Sequence, residues 1–232
     1  MNRILSWPRA LVHLFYPQNC ANCGTDILQQ DEFLCAKCFA ELPFTNYEQI
    51  SENPVAQRLW GRVDVHDAAA LLYFHKGMVV QHLLHQLKYK SNQEIGRFLG
   101  EIAGERLLKS PNFQNVDVLV PIPLAAKKEF KRGYNQAAVI CHGIANIMNI
   151  SVSKNTLIRT VNTSSQTKKH RMERWENVSE VFTVSSPADF AHKHILLVDD
   201  VITTGATIDA ACKALSNCEC TTVSILAIAT AS

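Results

Sequence analysis

A short apolar run in this chain leads directly into two acidic residues and a threonine-rich turn. Residues 194–198 (HILLV) are apolar after the first, Asp199 and Asp200 follow them, and residues 201–207 read VITTGAT. The pattern of residues 206–215 is that of a helix that begins just after the glycine of the turn. We therefore predict a buried strand, a tight turn and a helix N-terminus in succession, which is the repeating unit of an α/β fold.

Each residue type in this turn suits the binding of a phosphorylated sugar. Gly205 allows a tight backbone turn, and the N–H groups at a helix N-terminus form a cup for phosphate together with nearby hydroxyl groups. These hydroxyl groups belong to Thr203, Thr204 and Thr207. The carboxylates of Asp199 and Asp200 can accept hydrogen bonds from ribose hydroxyls or hold the water shell of Mg²⁺. The competing interpretation is a strand edge with an aspartate helix cap, but a cap does not need two acids followed by Thr-Thr-Gly-x-Thr.

The rest of the chain alternates between strand-like apolar runs and helical patterns. We predict strands at residues 68–74, 116–120, 156–160, 194–198 and 221–229, and helices within 83–107, at 135–149 and at 206–215. Apolar residues make up 47% of the 232-residue chain and charged residues 19%, which is typical of a globular protein. The alternation predicts a mainly parallel, doubly wound α/β sheet, in which ligands bind outside the carboxyl ends of the strands.

Half of the eight cysteines form two Cys-x-x-Cys pairs. These are Cys20, Cys23, Cys35 and Cys38. Together they can supply four thiolates to one tetrahedral zinc ion, and a segment of about forty residues needs such a staple because its core is small. A disulfide pair or a redox dithiol is the alternative. The zinc would be structural, since four thiolates leave no open position for catalysis. We predict a zinc-binding module with an N-terminal helix at residues 1–45 and a second domain at residues 46–232.

Charge and hydropathy exclude several classes of protein. The formal net charge of +2 is too small to indicate nucleic-acid binding by itself. No apolar run approaches the roughly 18 to 20 residues that cross a bilayer, so we predict no membrane span. Pro8, Arg9 and His13 interrupt the apolar N-terminus, which we expect to be a short helix that packs on the zinc module or lies on a membrane surface. Reduced cysteines and the absence of a signal peptide favour a cytoplasmic location.

Two basic segments allow two interpretations each. Residues 127–132 carry four cations against the single acid Glu129, beside a strand end and next to Gly133. The cations are Lys127, Lys128, Lys131 and Arg132. They form either a solvated face or a contact for an anion. Residues 161–180, which include Lys168, are polar, and a loop of this length is either functional or an exposed loop with ordinary surface charges.

The acidic pair and the turn resemble the signature for phosphoribosyl pyrophosphate (PRPP) in type I phosphoribosyltransferases. Other segments narrow the resemblance to the ComF family, whose members include competence proteins. Those segments are the two cysteine pairs, Leu87-Lys88-Tyr89, residues 121–124 (PIPL), residues 131–136 (KRGYNQ), and residues 166–168 (QTK) with Arg174 and Asn177. They follow the order of the family through nearly the whole chain. One departure lies at residues 90–92, where a glycine is frequent in similar proteins and this chain has Lys-Ser-Asn.

The resemblance implies a type I phosphoribosyltransferase fold in which Asp199 and Asp200 are the catalytic residues and contact the ribose. It implies that the part of PRPP around the 5-phosphate is bound by Val201, Thr203, Thr204, Gly205, Ala206 and Thr207. It places the loop after Val120 and a second group of residues near the pyrophosphate, namely Lys88, Arg132, Gly133, Tyr134 and Asn135. It also places Lys168 in a flexible loop that closes over PRPP and excludes water.

Two functions are compatible with this resemblance. The first is an enzyme in which a nitrogen nucleophile attacks C1 of PRPP while Mg²⁺ and cations stabilise the departing pyrophosphate. Such catalysis depends on positioning and electrostatics, and no Ser-His-Asp set is needed. The second is a PRPP-gated module that binds single-stranded DNA and works with other DNA-uptake proteins, as the competence connection implies. Residues 20–38 contain only one cation, Lys37, which argues against direct DNA contact by the cysteine-rich segment.

Overall fold

A computed structural model of the chain describes residues 19–26, 33–160 and 181–231. The described helices are α1 (Ala36–Ala40), α2 (Pro54–Gln57), α3 (Val79–Tyr89), α4 (Gln93–Leu107), α5 (Ala126–Arg132), α6 (Gln136–Met148) and α7 (Ala206–Leu215). The described strands are β1 (Asp67–Phe74), β2 (Val118–Pro121), β3 (Ser151–Val152), β4 (Leu157–Arg159), β5 (Phe182–Val184), β6 (His194–Ile202) and β7 (Thr222–Ala231). The predicted N-terminal helix and the polar segment with Lys168 lie outside the described residues.

The main sheet has five parallel strands in the order β1-β7-β6-β2-β3. This arrangement confirms the predicted parallel sheet. Strand β6 lies at its centre, so the carboxyl end of β6 is flanked by the ends of β7 and β2. Strands β4 and β5 pair with each other in an antiparallel hairpin outside this sheet. The strand predicted at residues 156–160 therefore exists but does not extend the main sheet.

Helices cover both faces of the sheet. Along β6, Leu196 and Val198 are buried in one core with α3, α4 and α6. Ile195 and Leu197 point to the other face and are buried with α2 and α7. Burial on both sides explains why this strand is a continuous apolar run, and the sheet is doubly wound as predicted. Among the described residues, no helix is both long enough and apolar enough to cross a membrane.

The cysteine-bearing segment packs against the core that contains α3, α4 and α6. Cys20 and Cys38 are buried there with side chains from the sheet. The backbone N–H of Thr45 donates a 3.1 Å hydrogen bond to the carbonyl of Leu71, so the chain after this segment runs beside the edge strand β1. The domain boundary between residues 45 and 46 stays a prediction.

Candidate functional site

Residues 199–207, which we call the Asp-Thr loop, form the carboxyl end of β6 and the turn into α7. Strand β6 continues to Ile202, so both aspartates still belong to the strand. Gly205 precedes α7 with a φ of 79°, a left-handed conformation that favours glycine. The side chains of Thr203, Thr204 and Thr207 are exposed. Their hydroxyl groups are therefore accessible to a ligand at the N-terminus of α7.

The two aspartates lie in different electrostatic surroundings. Asp200 forms an ion pair with Lys88 at the end of α3, with 3.0 Å between Oδ2 and Nζ. Burial and the charge of Asp200 raise the pKa of Asp199 to about 7, although the backbone N–H of Asp200 and the charges of Lys88 and Arg159 favour its ionised form. Near neutral pH, Asp199 is therefore a mixture of acid and carboxylate. A bound cation would convert it to the carboxylate and release a proton.

Tyr134 connects the basic segment of α5 to the turn of α3 that carries Lys88. The Tyr134 hydroxyl donates a hydrogen bond to the carbonyl of Leu87, the residue before Lys88. The guanidinium carbon of Arg132 lies 5.6 Å from the centre of the Tyr89 ring, on the other side of Lys88 in sequence. The structure thus brings Arg132 and Tyr134 close to the Lys88 that pairs with Asp200.

Asn135 connects the N-terminus of α6 to the loop after β2. Its Oδ1 accepts a 2.9 Å hydrogen bond from the Ala137 backbone, and its Nδ2 donates a 2.9 Å hydrogen bond to the Ile122 carbonyl. Gly133 ends α5 with a φ of 80°, a left-handed conformation. Asn135 is therefore a helix cap, and it sets the position of α6 relative to the carboxyl end of β2.

A cavity of about 660 Å³ opens beside the loop after β2. Its charged or titratable lining residues include Glu129, His142, Lys154 and Arg159. Burial and the nearby charge of Lys154 lower the pKa of His142, so the imidazole is neutral at pH 7. The charge of Arg159, which lines this cavity, also favours the ionised form of Asp199, so the cavity and the acid pair are linked electrostatically. The two cations make this cavity more favourable for an anionic group than for a cation.

The paired cysteines meet at one point. All four Sγ atoms lie within 4.8 Å of one another, and those of Cys23 and Cys35 are 3.7 Å apart. Zinc with four Zn–S bonds of about 2.3 Å keeps its sulfur atoms about 3.8 Å apart in a tetrahedron. Cys20 and Cys38 are buried, and Cys23 is exposed. The residues present therefore fit a structural zinc ion.

Comparison with protein-family models identifies the family. The model of the phosphoribosyl transferase domain matches residues 85–232, which is more than half of the chain. The chain belongs to the phosphoribosyl transferase domain family. A model of the double zinc ribbon domain matches residues 11–49, which contain all four paired cysteines. Together with the parallel sheet, these matches confirm the predicted fold class and support structural zinc.

Similar proteins are named for competence or for the use of DNA. "DNA utilization protein YhgH" of Salmonella typhimurium is 30% identical over 129 residues, which cover 54% of this chain and 56% of that protein. "Competence protein F" of Haemophilus influenzae is 24% identical over 89% of this chain and 88% of that protein. "Competence protein ComFC" of Bacillus subtilis is 39% identical over 42% of this chain and 38% of that protein. The match to the first of these spans little more than half of its length. These names confirm the predicted ComF resemblance.

Within the phosphoribosyl transferase domain, the predicted site residues divide into three groups. The Asp-Thr loop and Lys88 lie together, with Lys88 joined to the loop by the ion pair to Asp200. Residues 132–135 are held beside Lys88 by the contacts of Tyr134. Lys168 lies outside the described residues. No sequence pattern predicted Arg159 at the cavity, because an isolated arginine carries no periodicity or motif.

We expect purified protein to contain one zinc ion per chain, since the four thiolates complete a tetrahedral shell. Replacement of Cys23 by serine should remove most of this zinc and make the cysteine-bearing segment more sensitive to protease. Metal analysis by mass spectrometry and limited proteolysis measure these effects. Cys220→Ser, which removes an exposed thiol outside the cluster, is the matched control. A protein with no zinc, or a Cys23→Ser variant with full zinc content, would contradict the assignment.

Proposed function

We propose that the Asp-Thr loop binds PRPP or a related 5-phosphoribosyl compound. The observation that carries this proposal is the succession of an acid pair at the end of the central strand and a hydroxyl-rich turn at the N-terminus of α7. The turn and the helix N-terminus offer backbone N–H groups and hydroxyl groups to the 5-phosphate. Only Val201 and Ile202 separate the two aspartates from Thr203. In this proposal, Asp199 and Asp200 accept hydrogen bonds from the ribose hydroxyls.

The acid pair also suits Mg²⁺, which binds to carboxylates and keeps several of its waters. The raised pKa of Asp199 results partly from repulsion by Asp200, and a divalent cation relieves that repulsion. Bound Mg²⁺ would supply positive charge to the pyrophosphate that leaves C1 of PRPP. In this proposal, Lys88 neutralises Asp200 without ligand and turns toward the pyrophosphate when Mg²⁺ binds.

Catalysis at this site would consist of positioning and electrostatic stabilisation. A nitrogen nucleophile attacks C1 of the ribose, the bond from C1 to pyrophosphate breaks, and the pyrophosphate takes the electron pair. In this proposal, Lys88 and Arg132 stabilise the developing negative charge. The nucleophile is supplied by the acceptor, so the protein needs no covalent nucleophile of its own. Arg159 and Lys154 extend the positive region into the adjacent cavity.

The apparent affinity for PRPP with Mg²⁺ should rise about tenfold from pH 6 to pH 8. Binding requires the Asp199 carboxylate, and a group with a pKa of about 7 goes from roughly one tenth to nine tenths ionised over this interval. Calorimetric titration at pH 6, 7 and 8 measures the change. Because PRPP itself titrates, Asp199→Asn reports the pH dependence of the ligand alone. Parallel pH profiles for wild type and Asp199→Asn would show that Asp199 does not control binding.

For the whole protein, we propose a role in DNA uptake or in the use of DNA, in a cytoplasmic location. The support comes from the names of its relatives, "competence protein" and "DNA utilization protein".

A measurement of pyrophosphate release separates an enzyme from a binding module. The protein is incubated with PRPP, Mg²⁺ and a panel of bases or single-stranded DNA, and the pyrophosphate released is measured. Release with one acceptor identifies an enzyme and its acceptor. Binding of PRPP without release identifies a module, and no binding contradicts the proposal.

A second candidate function, binding of single-stranded DNA, is favoured by the surface of α5. None of the residues of this helix is buried, and the side chain of Phe130 is 93% exposed. The helix carries the cations Lys127, Lys128, Lys131 and Arg132. Tyr89, which is 64% exposed, lies beside Arg132. Exposed aromatic rings among cations are typical of surfaces on which single-stranded bases stack.

We expect Phe130→Ala combined with Lys131→Gln to weaken binding of single-stranded DNA at least tenfold, because stacking contributes about 1–3 kcal/mol per base and each cation pairs with a phosphate. Fluorescence anisotropy with a labelled oligothymidine, with and without PRPP, measures the effect. The control is Phe39→Ala combined with Lys193→Gln, which removes an exposed ring and an exposed cation elsewhere. Equal binding by both double variants would exclude α5 as the contact surface.

A further inference from the structure

Residues 50–84 lie between the two matched family models, and part of this segment packs directly against the Asp-Thr loop. Helix α2 and the turn after it bury Val55, Ala56 and Leu59 in the core that also contains residues of β6 and α7. Leu59 approaches the loop closely: a Cβ atom added at Gly205 would lie 3.0 Å from its Cδ2. The segment therefore supports the loop from the side of the protein interior.

Arg58 joins the loop to the end of the neighbouring strand β7. Its Nη1 donates hydrogen bonds to the carbonyl of Thr203, at 3.3 Å, and to Oγ1 of Thr230, at 2.8 Å. Its Nη2 donates a 2.7 Å hydrogen bond to the carbonyl of Ala231. Within the described ranges, Arg58 forms no ion pair with a carboxylate. Its positive charge beside the loop is therefore not cancelled by a direct partner.

Arg62 makes the equivalent contact one residue further along the loop. Its Nη1 donates a 2.8 Å hydrogen bond to the carbonyl of Thr204 and a 3.0 Å hydrogen bond to the carbonyl of Arg58. Its Nη2 forms an ion pair with Asp209 in the first turn of α7. Arg62 thus connects Arg58, the Asp-Thr loop and helix α7.

These contacts determine which way the loop amides point. In a trans peptide, the C=O and the following N–H lie on opposite sides of the chain, and the described residues contain no cis peptide. The arginines bind the carbonyls of Thr203 and Thr204, so the N–H groups of Thr204 and Gly205 point away from them. In the described part of the chain, neither of these two N–H groups donates a hydrogen bond. A cation at the carbonyl oxygen also polarises the peptide and makes its N–H a stronger donor.

We propose that Arg58 and Arg62 are positioning residues that turn the N–H groups of Thr204 and Gly205 toward the 5-phosphate of the ligand. The arginines act through the backbone of the loop and do not touch the ligand. This inference rests on the proposed function, because it assumes that the loop binds the 5-phosphate. It assigns a role in ligand binding to a segment that lies outside the phosphoribosyl transferase domain match.

The test compares two ligands that probe different parts of the site. Ribose 5-phosphate probes the loop, and pyrophosphate with Mg²⁺ probes the region of Lys88 and Arg132. Both are titrated by calorimetry into wild type, Arg58→Gln, Arg62→Gln and the control Arg97→Gln, whose guanidinium is 47% exposed and pairs with Glu94 on α4. We expect Arg58→Gln and Arg62→Gln each to weaken ribose 5-phosphate roughly tenfold and to change pyrophosphate less than about twofold. Arg62→Lys, which keeps the charge and N–H donors but not the planar fork of the guanidinium, should recover part of the loss.

Each outcome decides between the positioning role and its alternatives. Unchanged ribose 5-phosphate affinity in both glutamine variants overturns the inference, and so does an equal loss for both ligands, which indicates general damage to the structure. If Arg58→Gln does not fold, Arg62→Gln decides, because its side chain is 41% exposed and its loss is tolerable for folding. If wild type binds neither PRPP nor ribose 5-phosphate, the proposed function fails as well. If wild type and both glutamine variants bind ribose 5-phosphate with the same affinity, only the positioning role of the arginines is wrong, and the proposed function stands.

Discussion

Replacement of Asp199 and Asp200 by alanine is expected to weaken PRPP binding by at least about two orders of magnitude. Each hydrogen bond to a charged group contributes roughly 1.5–3 kcal/mol, and the double variant loses at least two of them together with the Mg²⁺ contact. The hydroxyl and N–H groups of the turn remain in place. The variant should therefore retain weak binding of ribose 5-phosphate through the turn.

The same variant should stay folded. The pKa of Asp199 gives the direction in which the free energy of unfolding should change. Its pKa in the folded protein is raised from 3.8 to about 7, so its contribution to stability is present at low pH and is lost as the pH rises through 7. At pH 8, the ionised Asp199 is therefore unfavourable for the folded state, and its removal should not lower the free energy of unfolding. The loss of Asp200 leaves Lys88 without its partner, but Lys88 is 21% exposed and retains contact with water.

Calorimetric titration with PRPP and Mg²⁺, together with thermal unfolding at pH 5 and pH 8, measures both effects. The matched control is Glu105→Ala combined with Asp189→Ala, which changes the net charge equally at two exposed positions outside the Asp-Thr loop and the segment that contacts it. The control should bind PRPP as wild type does. Equal affinity in wild type and in the Asp199 and Asp200 variant would contradict the proposed ligand.

The predictable parts of the site are those encoded in consecutive residues. The Asp-Thr loop follows its strand directly in the chain, so strand, turn and helix N-terminus were all visible as a local pattern. The cysteine cluster was visible for the same reason, because two short spacings place four thiols in reach of one metal. Lys88 was found only through the family resemblance, since nothing local connects it with Asp200, more than a hundred residues away.

The features that no sequence pattern predicts depend on packing between distant segments. Arg58 and Arg62 reach the loop across about 140 residues of sequence separation, as the bonds to Thr203 and Thr204 show. Their placement depends on how α2 packs on the sheet, which no periodicity reports. Strand β4 was predicted by its apolar residues, but its pairing with β5 in a hairpin, and not with the main sheet, depends on a partner beyond the polar segment.

The contact between α4 and α6 is the position where a single added carbon should affect stability most. Helices α4 and α6 cover the sheet on the side of Lys88, and they meet at Gly100 and Gly143 with backbone against backbone. A Cβ atom at Gly100 would collide with the carbonyl oxygen of Ile140, and one at Gly143 would collide with that of Arg97. Backbone atoms of two packed helices cannot move aside independently, so the helices must separate and leave voids.

We therefore expect Gly100→Ala and Gly143→Ala each to lower the free energy of unfolding by about 2–4 kcal/mol, even though alanine favours a helix over glycine by roughly 1 kcal/mol. At about 2–4 °C per kcal/mol for a domain of this size, the Tm should fall by roughly 5–15 °C. Gly96→Ala is the matched control on α4, because its Cβ would meet side-chain methyl groups of Val139 and Leu87 at 2.8 and 2.9 Å, and side-chain atoms shift at a lower cost than the backbone of a second helix. Thermal unfolding followed by circular dichroism should rank Gly96→Ala well above the other two in Tm. Wild-type Tm values for Gly100→Ala and Gly143→Ala would show that the two helices are not packed backbone to backbone, and the position of Lys88 on the same face would then need revision.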